Sequence, residues 1–174
     1  MTALGAATAS STDEISAGLE KFAAVSNSVG LSYEYATSAL ATVTATTRQS
    51  ADVVGTAFKT LFARIQDLEL GKTLDDGTTL GKYSQALETV GISIKTADGG
   101  LREMDDILSD LGEKWNSFDA EGNPLISDDA KVALAQTVAG VRQYTQLIAL
   151  MDNWDFMKEN LETARNAVGT LNEQ

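Results

Sequence analysis

Apolar residues recur along the chain at steps of three and four, with polar residues on the faces between them. The first stripe is Ile15, Leu19, Phe22, Val25 or Ser26, and Val29, the spacing of one side of a helix. Ser11-x-x-Glu14 precedes it with the spacing of a capping box, in which the hydroxyl and the carboxylate each take an otherwise free backbone amide. Gly30 is a natural stop. Ser32 opens a second helix carrying Ala36, Ala39, Leu40 and Val43. TATTRQS, from Thr44, is rich in β-branched residues and predicts a weaker helix. Ser50 opens a third, with Ala51, Val54, Phe58, Leu61, Phe62, Ile65 and Leu68 on its apolar side.

Residues 71–81, GKTLDDGTTLG, read as a loop from their glycines and Asp-Gly step. Tyr83, Ala86, Leu87 and Val90 predict a short fourth helix ended by Gly91. The period then changes to two: Ile92, Ile94 and Thr96 alternate ahead of the turn Ala97-Asp98-Gly99-Gly100. This predicts a small β-hairpin or extended excursion near residues 92–102. Leu101, Met104, Leu108, Leu111, Trp115 and Phe118 return to helical steps as a narrow seam. DAEGNPLISDD is a loop. Ser127 then opens a long sixth helix with Val132, Leu134, Ala135, Val138, Val141, Leu147 and Ile148. Met157, Leu161, Ala164, Val168 and Leu171 mark a seventh, with Trp154 at the junction of the last two.

The fold class expected is therefore mainly α: a compact multi-helix bundle of about seven helices with that one small β-hairpin. Residues 1–11 read as a flexible lead-in and residues 12–171 as one helical domain. The length of 174 residues suits a single core of useful size.

Charge narrows the functional classes. There are 25 acidic and 13 basic residues, a net charge of -12, and no cluster of Lys and Arg of the kind phosphate contacts need. Stable nucleic-acid binding is not expected. With no cysteine and no histidine, disulfides, thiolate nucleophiles, the usual zinc sets and histidine acid–base catalysis are excluded. No apolar run is long enough to span a bilayer.

Local motifs mostly fail on context. Gly71-Lys72-Thr73 resembles the end of a phosphate-binding loop, but Gln66 stands where that loop needs glycine, and a helix precedes it instead of a strand. Asp119-x-Glu121-x-Asn123 resembles the start of a calcium loop, yet Pro124 and Ala130 occupy its sixth and twelfth positions. Asp105-Asp106 and Asp128-Asp129 suit first turns of helices, where acids interact with the helix dipole. No catalytic, cofactor-binding or metal-ligating residue is assigned. Trp115 and Trp154 lie on stripe positions, which favours core packing with one partner for each indole N–H. The Ala/Thr-rich helix from residue 32 reads equally as a small-residue face for close helix contact or as a thin, partly exposed helix.

VGTAFKTLFARI, residues 54–65, stands out because it keeps Gly55 inside a helix and places Lys59 and Arg64 in an acidic chain. On a wheel of 3.6 residues per turn, Gly55 and Lys59 share one shoulder of the apolar face, and Arg64 lies on the other near Ala57. Gly55 offers a rim where another backbone could come close. The two cations either lay their stems on apolar surface or form a ridge for an acidic segment of this chain or another.

Three stretches together carry a family resemblance. Residues 13–65, ending in Val54-Gly55-x-Ala57-x-Lys59-Thr60-x-x-x-Arg64, are the first. ALETVGISIKTADGGLREMDDILSDLGEKW, ending at Trp115, is the second. AQTVAGVRQYTQLIALMDNWD is the third, with Ala139-Gly140-x-Arg142-Gln143 and Ala149-Leu150-Met151-x-Asn153-Trp154. In this order, over about residues 12–170, they resemble the core region of tail tape measure proteins of long-tailed bacteriophages and prophages. Such proteins are usually longer, so the chain is expected to be a fragment or excised domain. The resemblance implies a non-enzymatic structural role in setting tail length and templating tube assembly. Its signature residues here are Gly55, Lys59, Thr60, Arg64, Trp115, Gly140, Arg142 and Trp154. It implies as partners the tail tube protein, tail assembly chaperones and tail-tip or distal tail proteins; the oligomeric state, a homo-oligomer included, is left open by the sequence. It implies location in the lumen of the virion tail, and in the host cytoplasm during assembly. The rival readings are a muralytic, envelope-acting enzyme domain and a generic helical binding adaptor.

Overall fold

A computed structural model of the protein describes residues 11–173, with side chains for residues 11–167. The predicted lead-in lies outside the described residues except for Ser11, as do the side chains of Val168 and Leu171. Among the described residues there are eight helices and no sheet: α1 (Thr12–Ser28), α2 (Tyr33–Thr47), α3 (Ala51–Glu69), α4 (Leu80–Glu88), α5 (Met104–Trp115), α6 (Asp128–Ala139), α7 (Tyr144–Asp152) and α8 (Trp154–Glu173).

Local chemistry starts these helices. Ser11, Ser32, Ser50 and Ser127 each accept a hydrogen bond from the amide three residues on, at 3.1 to 3.2 Å. Each satisfies one of the amides that the first turn leaves without an internal partner. Thr79 caps α4 in the same way.

The longest seam joins α1 to α3. Phe22 of α1 meets Phe58 edge-to-face at 5.4 Å and stacks on Phe62 at 6.2 Å between ring centroids. Beside this cluster the two backbones nearly touch. A Cβ placed on Gly55 would lie 2.3 Å from the Gly18 carbonyl oxygen, and one on Gly18 would lie 2.6 Å from that of Ala51. Gly55 therefore faces the backbone of α1, as its rim position suggested.

α2 occupies the centre and packs against α1, α3, α7 and α8. Every residue from Tyr35 to Thr44 is buried, which resolves the two readings of this helix in favour of close packing. Its hydroxyls can be buried because the helix itself accepts their protons. Thr37, Ser38 and Thr42 each donate to the carbonyl four residues back at 2.7 Å, which satisfies them without water. Thr42 also accepts from the amide of Asn160, itself buried, at 3.0 Å. Across the bundle, α5 docks on the turn between α1 and α2. The Asp105 carboxylate accepts the Ser32 amide at 3.0 Å, and the Met104 amide donates to the Val29 carbonyl at 3.0 Å.

Three expectations are corrected. The predicted long sixth helix is two helices, α6 and α7, which raises the count from about seven to eight. Gly140 separates them with φ 87° and ψ 161°, a region essentially closed to residues with a Cβ. The β-hairpin near residues 92–102 is an extended excursion closed by a single bridge between Lys95 and Leu101. Ile92 and Ile94 do point inward, but backbone pairing is confined to Thr96 with Gly100 and Arg102 with Ile94 on either side of the bridge, and the chain then enters α5 at Met104. Finally, the seam from Leu101 to Phe118 is helical only from Met104 to Trp115, and both end residues are exposed.

Two predictions follow from this packing. Glycine-to-alanine changes normally favour an exposed helix by about 1 kcal/mol, but Gly55→Ala forces two backbones apart. It should lower stability by about 1–3 kcal/mol, read as a shifted midpoint in urea unfolding. An unchanged or raised midpoint would show that the two backbones are not in close contact at Gly55. The second concerns Glu69, whose carboxyl is pushed up to about 7 by burial at the end of α3. A raised acid is held neutral by the fold, so its contribution is complete below the ordinary carboxylate range and is lost as pH rises through about 7. Thermal melts of Glu69→Gln should match the wild type at pH 4 and exceed it at pH 8.

Candidate functional site

Arg64 joins three parts of the fold. It leaves α3 with its side chain only 13% exposed and pairs with Asp76 of the following loop at 2.9 Å. It also donates to the Thr78 hydroxyl and to the Thr137 carbonyl, both at 3.0 Å. Thr137 lies in the last turn of α6, where carbonyls lack internal partners and a cation is favoured. The guanidinium lies against Gly140, so close that a Cβ there would stand 3.4 Å from its nitrogen. The break between α6 and α7 is thus made by a glycine and capped by an arginine from another helix. The Nε of Arg64 is buried with no acceptor among the described residues.

Asp76 is the loop's contribution. Its carboxylate accepts the Thr78 amide at 3.0 Å. This bond, the Thr78 hydroxyl and the Arg64 guanidinium hold its pKa below the usual carboxylate range.

Above Arg64 opens a cleft of about 750 Å³ between α3, the loop after it and the turn at residues 139–143, within the range of ligand clefts. It brings Lys59, Thr60, Arg64, Gly140 and Arg142 together, five of the eight signature residues, from segments far apart in sequence. Lys72 also faces it and pairs with Asp67 at 3.3 Å, and the exposed Asp75 and Asp76 stand on the same rim, so four cations face three acids. Lys59 and Arg142 are exposed and have neither ion pair nor hydrogen bond among the described residues. Val141, 69% exposed, adds an apolar edge. The cleft can hold an anionic group by charge and hydrogen bonding, on a body that is acidic overall.

Three signature residues lie elsewhere. Gly55 is buried against α1. Trp115 and Trp154 are buried where α5 meets α7 and α8. Trp115 donates to Asp152 at 2.8 Å and Trp154 to Glu113 at 3.1 Å, so both are core residues with satisfied indoles. The bond from Trp154, with the neighbouring Lys158, holds the Glu113 carboxyl below its ordinary range. Gly112 makes room for this pair, since a Cβ there would fall within 2.1 Å of the Trp154 ring.

Sequence reasoning missed Asp76, Thr78 and Thr137 as partners of Arg64. The Asp-Gly step marked a turn, but no periodicity ties a loop acid to a helix twelve residues earlier. In the sequence Lys72 reads only as part of a phosphate loop that fails on context. Among the described residues, no group of three or more His, Cys, Asp or Glu could hold a metal ion, and no helix is long and apolar enough to cross a membrane.

Fold and cleft together define an all-helical domain that carries a cationic cleft on an acidic body. Residues 1–128 match the model of the family described as phage-related minor tail protein, and the chain belongs to that family. It is a phage tail protein with a structural role in the virion tail. No solved structure matches the chain.

Removal of the Arg64 clamp should loosen the cleft. Arg64→Ala should cost about 1–3 kcal/mol, chiefly by leaving the Thr137 carbonyl and the buried Thr78 hydroxyl without their donor, while the pair with the exposed Asp76 adds little. Arg64→Lys should recover less than half, because one ammonium cannot reach three separate acceptors as the fork does. Denaturant unfolding of both variants checks the order, and a lysine variant equal to wild type would refute the bridging role.

Proposed function

We propose that this domain belongs to a tape measure protein, the tail protein whose length sets that of the tail and around which tube subunits assemble. Within it, the domain acts without catalysis as an assembly or docking module. The observation that carries this reading is compaction. A single helix of 174 residues would extend about 260 Å at 1.5 Å per residue. Among the described residues the longest helix has 20 residues, about 30 Å, and the glycine contact folds the chain back on itself. A compact body of this kind adds little to a ruler and is better suited to hold a partner.

The three tape-measure-like stretches support the same reading, because two of them supply opposite walls of the cleft. The partners we propose are the tail tube protein, tail assembly chaperones and tail-tip or distal tail proteins. The site of action we propose is the tail lumen, reached from the host cytoplasm during assembly. The net charge of -12 would keep the domain from adhering to DNA that shares the lumen.

Deletion and duplication of this segment in an intact phage, followed by electron microscopy, test the proposal. Deletion should abolish tails, and duplication should leave tail length nearly unchanged. A length change in proportion to the residues added or removed would make the segment a ruler instead. The purified domain should not clear a peptidoglycan suspension, and clearing would reinstate the muralytic reading.

A further inference from the structure

We propose that the cationic cleft of one copy of this chain receives the acidic turn at residues 117–125 of a second copy. The cleft is lined by four cations and three acids; Arg64 and Lys72 are paired with Asp76 and Asp67, which leaves Lys59 and Arg142 against the single acid Asp75, beside the exposed apolar side chain of Val141. The turn offers the complement. Phe118 is 65% exposed and Leu125 52% exposed, large apolar surfaces for a loop in water. Between them stand Asp119 and Glu121, and the Glu121 carboxylate has no partner among the described residues.

The turn is preformed. Phe118 and Pro124 form a backbone bridge. The Asp119 carboxylate accepts the amides of Glu121 and Asn123 at 3.0 and 2.8 Å. Little further ordering is needed for it to dock, and ordering is a principal cost of association.

Geometry makes the contact intermolecular. The turn leads into Ser127, the N-cap of α6, while the cleft is walled at the other end of that helix by Ala139 and Gly140. Twelve helical residues lie between the two surfaces, about 18 Å. The turn cannot reach its own cleft without unwinding the helix that separates them. Two different patches that complement each other make a heterologous contact, which either closes into a ring or continues as a filament. The net negative charge of each copy opposes approach at a distance. That repulsion is screened beyond about 8 Å at physiological ionic strength, whereas the cations of the cleft act at contact. The contact depends on these two surfaces and not on the role proposed for the domain in the tail.

Sedimentation equilibrium of the purified chain over a wide concentration range tests the contact. Association beyond the monomer is expected. Lys59→Glu with Arg142→Glu should weaken it about tenfold or more, because like charges are then set against each other. Phe118→Ser with Glu121→Lys, on the turn, should do the same. All four side chains are exposed, and thermal melts establish that the variants fold. A mixture of the two double variants should recover association, because the intact turn of one meets the intact cleft of the other. A monomer at every concentration overturns the proposal. So does association indifferent to both variants, or a mixture that fails to recover it. Binding of polyglutamate or duplex DNA in the cleft of a chain that stays monomeric would assign it to another partner and equally overturn the proposal.

Discussion

Gly18 and Gly55 let the backbones of α1 and α3 touch, and much of the bundle is built on that contact. With the two helices this close, Phe22, Phe58 and Phe62 close into one cluster. The shared surface of α1 and α3 then covers one side of α2. Separation by the width of a methyl group would open that cluster and leave apolar surface without neighbours, a loss that packed interiors register strongly. Gly112 does the same for Trp154 on the far side of the core. In both places a missing side chain is what permits the packing.

The second requirement is that every polar group in this small-residue core find a partner. The threonines and serines of α2 donate to carbonyls of their own helix, and Asn160 is anchored on one of them. A central helix rich in Ala and Thr can thus be surrounded on all sides, although its sequence has little amphipathic contrast. Arg64 follows the same rule at the edge of the core. Its charge is tolerated because the loop after α3 and the end of α6 supply acceptors, and in return it holds those two segments against its own helix. The cleft is the space they leave above it.

Much of this was legible because it is local. The caps at Ser11, Ser32, Ser50 and Ser127 depend on a hydroxyl reaching an amide three residues away, and the stripes on α1, α3 and α5 depend on helical period alone. Position on the wheel also placed Gly55 at a backbone contact and set Arg64 apart from Lys59. Other features depend on distant groups and were not legible. Val141 and Ile148 continue the stripe of α6 in good phase, so periodicity runs straight through Gly140. The break needs both a glycine conformation and an arginine from α3 to cap it. Phe118 keeps the step of its seam yet lies outside the helix and in solvent, because the chain has already turned toward Pro124.

By itself the sequence determined an all-helical chain, its main helix starts, its acidic character and the tail family to which it belongs, since these rest on neighbours along the chain and on residue order. Only the tertiary structure decided which signature residues share a site. Lys59, Thr60, Arg64, Gly140 and Arg142 converge on one cleft, while Trp115 and Trp154 serve the core. Burial made the difference: a cation keeps a fixed place inside a protein only where separate segments bring acceptors to it, and their meeting is a property of the fold.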